Sequence, residues 1–310
     1  MSKELSRREL IRRLGAAAVG VPFLNACSLN ARQTSAAAQI RFGYAAITWG
    51  GNDEQAIDDI ASVGFRGIQL RSNAVPKFAD RPAALRDLLQ SRGLTLVALS
   101  SGNLGIDPAV ERDEREMHLR HAAFLRQVGG LYLQIIDQRP RDRSGTEADY
   151  KRLGHLLTEL GKRTADLGVP ISYHHHMGTL GERPEAVRAI LDSADPRYVK
   201  FQLDTAHYQQ GGGDPAQAVR DYADRLLFLH LKDLEAPVPG AREDPARSYR
   251  FVELGRGKVD FKRVFDELAD VKFSGWAIVE LDSVPDPARS PRESAMISKK
   301  YLEDVMRFAI

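Results

Sequence analysis

From Ile40 to its end the chain alternates short apolar runs with longer amphipathic ones. The short runs are "IRFGYAAIT" (40–48), "GIQLR" (67–71), "LTLVALS" (94–100), "LYLQIID" (131–137), "VPISYHH" (169–175), "VKFQLD" (199–204), "LLFLHLKD" (226–233) and "GWAIVELD" (275–282). Their length and β-branched content predict strands. Between them, "DEQAIDDIASVGF", "RPAALRDLLQSRG", "YKRLGHLLTELGKRTADLG" and "DFKRVFDELADVKF" space apolar residues by three and four, which predicts helices with one buried face. Several close on a glycine, the residue that tolerates the left-handed turn at a helix end. Eight strands, each followed by a helix, predict one α/β domain, a (β/α)8 TIM barrel over 40–310. A doubly wound open sheet is the competing arrangement, but no Gly-rich dinucleotide fingerprint follows the first strand.

Barrels carry their chemistry at the C-terminal ends of the strands, and polar residues collect there. The second strand ends in Gln69 and Arg71, the fourth in Gln134 and Asp137, the fifth in the triplet His174, His175 and His176. The sixth ends in Asp204, the seventh in His230 and Lys232, the eighth in Glu280 and Asp282. Alternation along a strand puts His174 and His176 on one face and turns His175 toward the helix layer or rim. Four consecutive strands thereby bring His174, Asp204, His230 and Glu280 toward one centre. A single strand-end His is more often a hydrogen-bonded rim residue, and a strand-end Asp often caps the next helix. The joint pattern argues otherwise, because charged groups buried at one level cost several kcal/mol each unless paired. A shared cation removes that cost. Two imidazoles and two carboxylates suit Mn²⁺, Co²⁺ or Zn²⁺ better than Mg²⁺.

Charge adds little: 44 basic against 42 acidic residues give no overall field to attract nucleic acid or an anionic membrane. The N-terminus adds more. In "MSKELSRRELIRRLGAAAVGVPFLNACSLN", Ser6-Arg7-Arg8 followed by Glu9, Leu10 and Ile11 resembles a twin-arginine export signal. The apolar stretch Leu14 to Ala26 has the length of a signal h-region and is too short for a membrane span. A basic amphipathic helix is the plainer reading, but "GAAAVGVP" offers no polar face. Cys27, the one cysteine, ends "LNAC", similar to a lipobox, and alone it forms no internal disulfide. The expectation is an exported, periplasmic protein: residues 1–27 a signal ending at the lipidated Cys27, and residues 28–39 a flexible tether.

The segments "YHHHMGT", "LDTAH", "LHLKD", "ELGRGKVDF" and "WAIVELD", in that order, resemble the xylose-isomerase-like TIM-barrel superfamily of sugar phosphate isomerases and epimerases, over essentially 40–310. "YHHHMGT" with the later "GxGxxDF" is most similar to the inosose dehydratase branch. The resemblance implies a Glu, Asp, His, Glu metal set on the last four barrel strands, matched here by Asp204, His230 and Glu280. The first Glu is missing. His174 stands in its place, His176 lies one alternation further, and Glu182 is close enough in sequence to fold back as a substitute. A chelated hydroxy-ketone has an acidified C–H, so removal of that proton gives a cation-stabilised enediolate. Returning the proton isomerises or epimerises; expelling a β-oxygen makes the enzyme a lyase. Glu280 or His176 is the expected base. Lys232 and His207 are expected to orient substrate oxygens, Lys232 with a structural ion pair as its other reading. Gln134, Arg71, Glu182 and Glu253 are further candidates to touch substrate.

The excursion 234–257 is long enough to be a lid, with Arg242, Arg247 and Arg250 facing an oxygen-rich ligand or simply solvent. "GGGDP" reads as a loop with Asp214 capping a helix at Pro215. A DNA-repair endonuclease of the same superfamily needs extra histidines on the second and third strands, which are absent here. A non-catalytic sugar- or metal-binding lipoprotein is the alternative to an enzyme. Export argues against phosphorylated substrates and for a free, oxidised or glycosidic sugar or an inositol ketone. The expected partner is thus a small sugar or inositol derivative, with membrane contact only through the lipid, and a dimer is compatible with the chain.

Overall fold

The computed structural model describes residues 39–236 and 248–310. The export segment, Cys27, nearly all of the tether, and Arg242 and Arg247 lie outside the described residues. No described helix is long and apolar enough to cross a membrane.

Eight parallel strands close into a barrel. They are β1 (Ile40–Ala45), β2 (Gly67–Arg71), β3 (Thr95–Leu104), β4 (Tyr132–Asp137), β5 (Ile171–His174), β6 (Val199–Asp204), β7 (Leu226–Leu231) and, last in the ring, β10 (Gly275–Val279). Around the ring the order is β1, β10, β7, β6, β5, β4, β3, β2. Helices α1 (Asp53–Val63), α2 (Ala74–Phe78), α3 (Pro82–Ser91), α4 (Glu111–Val128), α5 (Glu147–Asp166), α6 (Pro184–Asp192), α7 (Thr205–Gln210), α8 (Pro215–Asp221), α9 (Phe261–Asp270) and α10 (Pro291–Lys300) lie between and after the strands. The (β/α)8 expectation holds.

Strand ends differ from the sequence reading in both directions: β3 runs on to Leu104, past the expected end at Ser100, while others stop early. β1 stops at Ala45, where a 3-10 turn begins, and β7 stops at Leu231. Polar side chains there turn to each other and to the loops, so the ladder ends where the mouth begins. The long excursion is not featureless at its base: β8 (Asp233–Glu235) and β9 (Arg250–Val252) pair antiparallel.

Helix signals are obeyed locally. Asp214 accepts from the amides of Ala216 and Gln217 at 3.0 and 3.3 Å, with Pro215 at the first position of α8. In α9 the buried residues Phe261, Val264, Phe265 and Leu268 keep the three-and-four spacing, and Asp260 caps the Arg263 amide at 3.1 Å.

The apolar core has two compartments. The larger fills the space between strands and helices. The smaller, with Ala45, Val97, Ala98, Phe228, Trp276 and Ile278, fills the barrel's inside. There Tyr132 stacks on Phe228 with ring centroids 5.6 Å apart, and the Arg41 guanidinium sits 4.6 Å over the Trp276 ring. The lower barrel is therefore packed, with the Arg41 guanidinium across one end, and the polar residues of the strand ends lie above it.

Candidate metal centre

The register delivers the four expected residues to one level. Asp204 pairs with His230 across β6 and β7, His230 with Ile278 across β7 and β10, and His174 with Gln202 across β5 and β6. Glu280 follows β10 directly. One donor atom each from His174, Asp204, His230 and Glu280 lies within 4.8 Å of the others, and all four residues are buried. Tetrahedral donors about 2.1 Å from an ion would stand about 3.4 Å apart, the separation His230 Nδ1 already has from Asp204 Oδ2 and from Glu280 Oε1.

Three of these residues hold a buried polar atom without a hydrogen bond: His174 Nδ1, Asp204 Oδ2 and His230 Nδ1. Such atoms are expensive unless something satisfies them. Asp204 resolves the choice between cap and ligand by doing both. Its Oδ1 accepts from the Ala206 and His207 amides at 2.9 Å each, capping α7, while Oδ2 points into the cluster 3.4 Å from His230 Nδ1. His230 Nδ1 is also 3.4 Å from Glu280 Oε1.

Charge is arranged accordingly. Burial alone would lower the His230 pKa, but the carboxylates of Glu280 and Asp204 outweigh it and hold it up at about 9. Burial would likewise raise Glu280, yet His230 and Lys232 hold its carboxyl well below the usual range. Burial, reinforced by His230, pushes His174 well below neutrality, leaving it an uncharged donor. Two carboxylates with two imidazoles, His174 held uncharged and His230 drawn toward a positive charge, form a pocket that calls for a cation, and the residues present fit a divalent cation of borderline softness.

The triplet separates as alternation requires. His175 is fully buried on the outer side, its ring 5.6 Å from Phe201 and 5.3 Å from Tyr208, and its Nε2 accepts from the Asp204 amide at 3.2 Å. His176 lies beyond the strand and is the only one of the three that is not fully buried. Its Nδ1 donates to the Met177 carbonyl at 2.7 Å, so in the neutral ring Nε2 carries the lone pair. Its ring stacks on that of His207, with centroids 3.7 Å apart.

Lys232 is wholly buried. Its Nζ meets Glu280 Oε1 at 3.0 Å and Asp282 Oδ1 at 2.6 Å, lies 3.3 Å from His207 Nε2, and stands 4.1 Å over the Phe251 ring. Burial opposes its charge, but Glu280 and Asp282 hold its pKa above the ordinary lysine value. The ion-pair reading of Lys232 is therefore realised, with Asp282 and Glu280 as partners. Asp233 takes no part: its carboxylate accepts from the amides of Leu234, Gly255, Gly257 and Val259 at 2.9 to 3.1 Å. That ring of amides explains "ELGRGKV". Gly255 has φ +80°, and a Cβ on Gly257 would collide with the Asp233 carboxylate.

Other candidates are spent elsewhere. Glu182 accepts from Arg139 at 2.5 Å and from the Gly178 amide at 3.0 Å, so it does not fold back into the cluster. Glu253 is turned into the wall, where it accepts from Arg289 and, at 2.9 Å, from Ser294. Arg250 pairs with Glu235 at 2.6 Å. Arg71 is exposed on the rim. Gln134 is buried below the cluster, its Nε2 3.4 Å from Ser100 Oγ and its Oε1 without a hydrogen bond. Three participants had no assigned role in the sequence reading: Gln69, whose Oε1 is 2.9 Å from His230 Nε2, Asp282 and Phe251. Gln69 and Asp282 were visible as polar strand-end residues; Phe251 gave no signal, since only the hairpin folds it back over Lys232.

A closed parallel barrel with a histidine–carboxylate cluster at its C-terminal mouth defines the class. The family model for the xylose isomerase-like TIM barrel matches residues 57–301, and the chain belongs to that family. Among curated relatives it is similar to inosose dehydratase of Clostridium tetani (strain Massachusetts / E88), 28% identical over 300 residues, covering 86% of this chain and 97% of that protein. Inosose dehydratase of Lacticaseibacillus casei is 29% identical over 298 residues, covering 86% and 97%. Among solved structures, the IOLI protein with a bound zinc atom superposes with TM-score 0.73 at 18% identity, covering 87% of this chain and 100% of that one. A probable 3-DHS dehydratase, AsbF from Bacillus anthracis, gives TM-score 0.69 at 15% identity, covering 84% and 98%.

Proposed function

We propose that this chain is a divalent-metal-dependent enzyme of the sugar isomerase, epimerase and dehydratase type, acting on a keto-sugar or keto-inositol. The observation that carries the reading is the convergence of His174, Asp204, His230 and Glu280 with three of their buried donor atoms unsatisfied. The inosose dehydratase relatives support the dehydratase end of that range.

His174, Asp204, His230 and Glu280 would hold the ion, with Mn²⁺, Co²⁺ or Zn²⁺ suited to them. A bound divalent ion supplies Lewis-acid polarisation of a substrate carbonyl, which acidifies the neighbouring C–H. His176 would take that proton on Nε2, its Nδ1 being bonded to the Met177 carbonyl, a contact that supports this tautomer. Returning it to the opposite face epimerises. Loss of a β-hydroxyl with a proton, as water, completes a dehydration instead. Lys232 keeps Glu280 ionised rather than reaching substrate, since it is buried against two carboxylates. His207 backs His176, and Phe251 offers an apolar wall for the C–H face of a ring. Export with a lipid on Cys27 belongs to this reading, supported by the twin-arginine-like segment, and it favours an unphosphorylated substrate.

The test is metal analysis of the purified protein, followed by incubation with a panel of ketoses and inososes in deuterated water. One metal per chain is expected, with deuterium entering beside the carbonyl or water being lost from one substrate. A metal-free protein that labels and dehydrates none of them overturns the proposal. For the anchor, Cys27→Ser is expected to move the protein from the membrane to the soluble fraction.

A further inference from the structure

Resting on the metal reading above, we propose that Gln69 is a positioning residue that decides which nitrogen of His230 faces the cation. Gln69 sits at the centre of β2 on the inward face, only 2% exposed. It meets a residue 161 positions away, on a strand separated from its own by β1 and β10. Backbone pairing therefore does not bring the two side chains together; the contact is made across the mouth by the side chains themselves.

Its chemistry is directional. The Gln69 Oε1 lies 2.9 Å from His230 Nε2, and a carbonyl oxygen only accepts. Nε2 must carry a proton, so an uncharged His230 ring presents its lone pair at Nδ1. That atom makes no hydrogen bond and lies 3.4 Å from both Asp204 Oδ2 and Glu280 Oε1. Remove the acceptor, and the two carboxylates favour a proton on Nδ1 instead. The ring would then donate to the carboxylates and turn its protonated side to the ion. Hydrogen bonds that orient metal-binding imidazoles are typically worth about 10–100-fold in affinity.

Gln69→Leu keeps the volume and deletes the acceptor, whereas Gln69→Glu keeps an acceptor. Zinc affinity is measured by competition with a chelating indicator. Gln69→Leu is expected to bind about 10–100-fold more weakly than the parent, and Gln69→Glu at least as tightly as the parent. A second readout is the imidazole N–H spectrum of the zinc-loaded protein. A slowly exchanging Nε2–H of His230 is expected in the parent and in Gln69→Glu, and is expected to be lost in Gln69→Leu. If Gln69→Leu does not fold, Gln69→Met removes the acceptor in the same way. A variant lacking the acceptor that binds zinc within twofold of the parent overturns the inference and leaves the metal reading intact. Failure of the parent itself to take up zinc overturns the metal reading, and the inference with it.

Discussion

Glu280 meets His230 Nδ1 at 3.4 Å and Lys232 Nζ at 3.0 Å, while His176 is held through Nδ1 by the Met177 carbonyl. On the proposed function, holding the ion and moving the proton would fall to different residues. His176→Gln is expected to lower kcat by about 10²–10⁴-fold while metal content stays at the parental level. Steady-state kinetics beside metal analysis checks both halves. Asp204 has no such division, because one oxygen caps α7 and the other faces the cluster. Asp204→Asn keeps the capping oxygen and loses the charge, so metal affinity is expected to fall at least about tenfold with little change in the metal-free melting temperature. Asp204→Ala loses both and is expected to melt lower, by about 1 kcal/mol of capping free energy. Titration and thermal melts of the two variants together separate the roles.

Buried carboxylates also organise the loops that carry the site. Asp137 accepts from Tyr173 Oη and the Leu180 amide at 2.6 Å each, and from the Gly181 amide at 3.1 Å. It thereby fixes the loop that bears His176. Asp137→Ala would strand these donors in the interior, and a loss on the order of 3 kcal/mol is expected in denaturant unfolding, with weaker turnover in what stays folded. These loops mark the limit of what the sequence discloses. Period-two and three-and-four patterns identify strands and helices because burial of one face writes itself into neighbouring residues. The four cluster residues were legible because strand alternation and barrel closure convert sequence position directly into place. Glu182, by contrast, is drawn away by Arg139, and Glu253 by Arg289 and Ser294. Those partners lie tens of residues distant, and no local spacing reports them. Phe251 was hidden for the same reason: its place over Lys232 depends on a hairpin whose strands are separated by a long excursion.

At the scale of the whole barrel, the cluster and the outer layer respond to different conditions. Metal that binds only the folded chain adds about 2.7 kcal/mol at a free concentration a hundred times its Kd. A chelator is therefore expected to lower the melting temperature by several degrees, and added Zn²⁺ to restore it. Acid acts on the outer layer as well. His118, on α4 and buried against β3, bonds Ser101 Oγ at 2.6 Å and the Asn103 carbonyl at 3.1 Å, and burial pulls its pKa down to about 4. Between about 6.5 and that value the unfolded chain binds a proton that the folded chain refuses, so stability falls as pH drops through this window. The full effect is on the order of 3 kcal/mol. Melts from pH 7 to 4.5 are expected to show the loss, and His118→Asn to lessen it by that residue's share, since burial holds His174, His175 and His207 down as well. Finally, the stacked Tyr132 and Phe228, with Arg41 across Trp276, plug one end of the cylinder. Traffic is then confined to a single doorway, so product must leave by the route the next substrate enters, and its inhibition should be competitive.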